Sequence, residues 1–155
     1  MFPFNFYINL HEVLKAEKIT YQPKINYYII AIASVLKDYR MSFFINQELH
    51  LALEKDEDLI SDDKKKESAK KLGKFYFFDP KSEFEYYLIQ NKLPGLVFIK
   101  TLKNFDFLFI VKTIDEDTVD TGTFAEKIKH IEDVQLVLEI NKLKPAEQKL
   151  IEKDF

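Results

Sequence analysis

Aromatic residues laid out in short alternating runs constrain this chain more than any other feature. Fifteen Phe and eight Tyr occur with no Trp and no Cys, in runs such as Tyr39-Arg40-Met41-Ser42-Phe43 and Phe105-Asp106-Phe107-Leu108-Phe109. Aromatic side chains at every second position suit a pleated, half-buried surface, which points to a β-rich core. The 155 residues are a single-domain length, and a domain of that size buries roughly 70% of its unfolded surface without a disulfide or metal staple. An apolar fraction of 46% beside 32% charged residues is globular rather than disordered composition. Residues 1–155 therefore read as one domain. Within it, 61–72 is a charged segment, either exposed helix or mobile solvated loop.

Charge excludes some partners. A net charge of −3 gives no general attraction to nucleic-acid phosphates or acidic membranes. The longest apolar stretch, Ile25 to Leu36, is about half the ~20 residues a membrane helix needs, and Asn26 and Ser34 interrupt it. The opening Met1-Phe2-Pro3-Phe4-Asn5-Phe6 has neither a basic n-region nor a small-residue cleavage site. Absence of cysteine fits a reducing compartment, so a cytoplasmic protein is expected. Arg40 is the one arginine among 23 basic residues, a skew that AT-biased mutation explains better than function does.

Periodicity then places the elements. Asn9 with Glu12 three residues on predicts a helix start. Ile25 to Val35 reads as a strand apolar on both faces, Lys37-Asp38 as a turn and Tyr39 to Ile45 as the return strand of a hairpin. Asn46 is expected to cap a helix running to about Glu57. Phe75 to Phe78 and Phe84 to Gln90 read as a second hairpin around Asp79-Pro80-Lys81-Ser82. Leu93-Pro94-Gly95 is a turn, Leu96 to Lys103 is ambiguous, and Phe105 to Lys112 is a strand. Thr123 with Glu126 at the fourth position of a capping box starts a helix, Val134 to Ile140 is a strand, and Pro145 opens a last helix. The expected fold is α+β: a mainly antiparallel sheet of five to seven strands with helices on one side.

Chemistry-bearing motifs are sparse. Asp115, Glu116, Asp117, Asp120 and Glu126 resemble an EF-hand loop, but Val119 falls at a ligand position and Asp120 where the loop needs Gly. Carboxylates ahead of a helix favour its positive end, and that reading is preferred. His11, His50 and His130 have no metal spacing, and no nucleophile elbow or phosphate loop occurs. No catalytic residue, cofactor or metal is expected. Lys71-Leu72-Gly73-Lys74-Phe75-Tyr76-Phe77-Phe78 resembles the RNA-stacking strand of RRM domains, with Phe75 and Phe77 on one face. Asp62, Asp63 and Glu67 dilute the Lys cluster, so a core strand is the better reading. Arg40 is expected to pair with a carboxylate or stack on a ring.

Several segments also resemble the small bacterial IPExxxVDY family: Asp38-Tyr39-Arg40-Met41 into Ile45-Asn46, Leu88 to Lys92, and Ile99 to Ile110. The family's signature is Ile-Pro-Glu, three residues, then Val-Asp-Tyr. The window here runs Ile99 to Phe107, keeping Ile99 and Asp106, with Phe107 for the Tyr and Lys100-Thr101 for the Pro-Glu. The resemblance spans about Ile25 to Ile140. It implies an intracellular bacterial protein and brings no activity, substrate or cofactor. The expected function is therefore a non-catalytic protein-interaction or self-associating module, most simply a two-fold homodimer that covers surplus aromatics. Arg40, Phe75, Phe77, Asp106 and Phe107 are its candidate interaction surface. The alternative is single-stranded nucleic-acid binding through 75–78.

Overall fold

The computed structural model describes residues 20–60, 70–116 and 118–155. In chain order they form β1 (Ile25–Ser34), α1 (Asp38–Leu49), β2 (Glu54–Lys55), β3 (Leu59–Ile60), β4 (Lys71–Leu72), β5 (Lys74–Asp79) and β6 (Phe84–Gln90). Then follow β7 (Lys92–Leu93), β8 (Leu96–Val97), a 3-10 turn (Lys100–Leu102), β9 (Phe107–Ile114), α2 (Thr121–Lys129), β10 (Val134–Ile140) and α3 (Pro145–Asp154). Six strands pair in the order β10-β1-β9-β6-β5-β2, every neighbour antiparallel. The fold is thus the α+β class expected. The helix expected from Asn9 and residues 61–69 of the charged segment lie outside the described residues. At that segment's end Leu72 is buried and pairs with Leu59.

One expected element is wrong. Tyr39 to Ile45 is not a return strand, so there is no 25–45 hairpin: the residues belong to α1. Read at helical spacing, Met41, Ile45 and Leu49 recur at i, i+4 and i+8 and are the apolar residues this helix buries, with Ser42 beside them. Tyr39 and Phe43, expected to share their face, stay exposed. Asn46 does not open a helix either. It sits in the last turn of α1, where its amide accepts from Leu53 N (2.8 Å) and donates to Leu53 O (3.1 Å). His50 in the left-handed region (φ 55°) ends the helix.

Elsewhere the punctuation works as read. Asp79 closes the β5–β6 connection by accepting from Lys81 N (3.0 Å) and Ser82 Oγ (2.9 Å). Pro94-Gly95 joins β7 to β8, and Gly95 supplies the positive φ (78°) a two-residue turn demands. The cap of α2 is Asp120 rather than Thr123, accepting from Thr123 N (3.0 Å) and Thr123 Oγ1 (2.6 Å). The capping geometry is one turn earlier than expected because a carboxylate is the better acceptor at the positive end of a helix.

The sheet is the middle of three layers, not a one-sided platform. On one face, Ile30, Ile32, Leu88, Phe107, Phe109 and Val111 meet Met41, Ile45 and Leu49 of α1 and Ala125 and Ile128 of α2. On the other, Ile29, Ala31, Ile89, Leu108 and Ile110 meet Ile99, Leu102 and Phe105 around the 3-10 turn and Ile151 of α3. Cover on both faces explains the apolar character of β1, β6 and β9 on both sides. It also buries Tyr86, Tyr87, Phe105, Phe107 and Phe109 within one chain. Those aromatics therefore do not form the exposed surplus from which a dimer was expected.

Candidate interaction surface

The five sequence-selected residues do not converge. Phe75 and Phe77 do share a face of β5, but that face looks into the core beneath α1. Phe75 is buried, with Lys55 Nζ 5.3 Å from its ring centroid, and Phe77 stacks on Tyr86 (ring centroids 6.1 Å apart, 18° between planes). Phe107 is buried in the same layer. Arg40 stands on the outer side of α1 with its guanidinium 5.8 Å from the Phe44 ring centroid, a stacked cation on a helix rather than a strand.

Asp106 has a splicing role. Its Oδ2 accepts from Ser34 N (2.8 Å), its Oδ1 lies 3.5 Å from Lys92 Nζ, and its own N–H donates to Ile32 O (2.9 Å), tying the start of β9 to the end of β1. Beside it is a residue that sequence reading did not single out. Asn91 is fully buried, donates from Nδ2 to Leu102 O (2.9 Å) and Phe105 O (3.0 Å), and accepts from Ile99 N at Oδ1 (3.0 Å). Its main chain adds Asn91 N to Asp106 O and Phe98 N to Asn91 O, both 2.7 Å. One amide thus supplies the partners that irregular backbone from 98 to 106 cannot find in a ladder.

A cluster of ionisable side chains lies on the face of β5 and β6 opposite α1. Glu85 accepts from Tyr76 OH (3.1 Å) and Tyr87 OH (3.0 Å) and pairs with Lys112 Nζ (3.0 Å), which also donates to Phe155 O (2.7 Å). Burial pushes the Tyr87 hydroxyl up, and the Glu85 charge pushes it further, so it acts as a donor. Burial alone would raise Glu85, but the Lys112 and tyrosine hydrogen bonds outweigh it and hold the carboxyl below its ordinary 4.5. Glu147 of α3 is similar: Thr101 N (3.0 Å) and Thr101 Oγ1 (2.6 Å) overcome its burial and keep it low. Every acceptor in these clusters is committed to holding α3, the 3-10 turn and the sheet together.

A pH dependence follows. Carboxyls with depressed folded-state pKa values stabilise above 4.5 and lose that contribution as pH falls through their folded values. The melting temperature is expected to hold from neutrality to about pH 5 and to fall below it. Glu147→Gln should lower the neutral value and flatten the acid limb. An unchanged acid limb in that variant contradicts the assignment to Glu147.

Among the described residues, no group of three or more His, Asp or Glu is placed to hold a metal ion. Asp115 instead accepts from Lys24 N (2.9 Å), and Asp120 caps α2. Among the described residues, no helix is long and apolar enough to cross a membrane.

Among the described residues, no strand pairs with the outer side of β10. Its inner side pairs with β1 from Ile140 opposite Ile29 to Val134 opposite Ser34, with a register shift at Ala33/Ser34. Alternation along the strand puts Leu136, Leu138 and Ile140 on one face of β10 and Val137 on the other. The residue β10 buries is Val137, facing α2, while Leu136 and Leu138 are 54% and 48% exposed. The register shift moves Val134 to the α2 side. A groove of about 470 Å³ runs between α2 and β10, lined by Gly122, Ala125, Lys129, Val137 and Glu139 among others. The signal for this edge was in the sequence as a strand with one charge and no Pro or Gly, but strand order is not readable from a strand alone. Comparison of the chain with protein-family models, curated proteins and solved structures finds no match.

Proposed function

We propose that the chain is a non-catalytic interaction module that self-associates as a two-fold dimer. The observation that carries the reading is β10, outermost among the described strands, with Leu136 and Leu138 half exposed beside backbone that no other described strand pairs. Soluble proteins blunt or cover such edges, because an apolar open strand recruits another. Closed two-fold pairing is the commonest cover. The commitment of Glu85, Glu147, Asp106 and Asn91 to internal bonds supports a binding rather than a reacting role. Membership of the IPExxxVDY family is part of the proposal, supported by Ile99 and Asp106 standing at the hub around Asn91. A cytoplasmic setting is supported by the lack of cysteine.

Light scattering coupled to size exclusion at micromolar concentration tests the reading. The expected mass is twice that of one chain. A single-chain mass throughout refutes self-association.

A further inference from the structure

We propose that two copies join through β10, antiparallel about a two-fold axis at Val137, so that their six-stranded sheets continue into one. This rests on the self-association reading and names its surface and register. The two ends of the sheet differ. At one, β2 is two residues long and both are charged, Glu54 and Lys55, which is how an edge is blunted. At the other, β10 offers seven residues, of which only Glu139 is charged.

The occupant that fits is a second β10, for three reasons. A perpendicular two-fold axis keeps each residue on its own face and pairs residues of equal parity, so outward N–H groups meet outward C=O groups. An axis at the strand's midpoint engages all seven residues and sets Leu136 opposite Leu138 of the second copy. Half-exposed leucines are then buried against leucines, beside Ala33 of β1, which pairs with Leu136. The register also avoids like charges: Glu139 faces the uncharged Gln135 of the second copy. Moving the axis to Leu136 would instead set it against Asp133.

The test uses two variants of equal burden. Leu136→Lys with Leu138→Lys puts lysine opposite lysine and should give single-chain mass at concentrations where the parent protein is a dimer. Leu136→Lys with Leu138→Glu puts lysine opposite glutamate in both halves and should keep the dimer mass. Both positions are half exposed, so thermal melts should show both variants folded. Dimeric mass for both, or single-chain mass for both with the parent dimeric, overturns this interface while self-association stands. A monomeric parent overturns both.

Discussion

Replacing Asn91 with leucine is expected to destabilise the domain by about 3 to 5 kcal/mol, among the largest losses from a single side chain. Leucine matches the volume but removes one acceptor and two donor contacts. Ile99 N and Phe105 O are then stranded, while Leu102 O keeps its bond from Phe105 N (2.9 Å). Each stranded buried group costs about 1–3 kcal/mol, and relaxation recovers part of that sum. In a domain of this size each kcal/mol moves the melting temperature by roughly 2–4 °C, so a fall of about 10 °C is expected. Urea unfolding measures it directly. A loss under about 1 kcal/mol would mean that the 98–106 backbone finds other partners and that Asn91 is not its hub.

Phe109→Ala should cost about 3–5 kcal/mol for the cavity it leaves. Phe109 has no exposed surface, stacks on Tyr86 at 6.0 Å and meets Phe124 edge-on at 6.0 Å, 89° between planes. It therefore links β9, β6 and α2 in one aromatic cluster, and ring pairs of this kind add about 0.5–1.5 kcal/mol beyond burial. Phe43→Ala is the comparison. Phe43 is 56% exposed on α1, with an edge contact to Phe44 at 5.5 Å, and should cost under about 1 kcal/mol. Equal losses at the two positions would contradict the three-layer account, because they would require cover over Phe43.

These two phenylalanines show what the sequence made legible. Phe109 lies in an uninterrupted apolar run whose strand character survives any arrangement of neighbours, and β5, β6, β9 and β10 were readable for that reason. Phe43 lies where two periods compete. Tyr39, Met41, Phe43 and Ile45 alternate as a strand would, while Met41, Ile45 and Leu49 step as a helix does. Packing decided for the helix by burying Met41 and Ile45 and leaving Tyr39 and Phe43 outside. One-sided cover failed for a related reason: apolar character on both faces of β1 and β9 meant two covering layers, not surplus aromatics. The interaction surface was less legible still. Phe75, Phe77 and Phe107 were singled out for being aromatic on strands, which is also what puts them in the core. The open edge depends on strand order, set by distant pairings such as β1 with β10.

Hydrogen exchange at the amides of Val134 to Ile140, followed over a dilution series, tests the central claim most directly. The inward amides are held by β1 at any concentration. A modest interface of this kind dissociates on dilution through the micromolar range. The outward amides are therefore expected to be protected at high concentration and to exchange progressively faster as the protein is diluted. Outward amides that exchange rapidly and equally at every concentration would contradict pairing at β10.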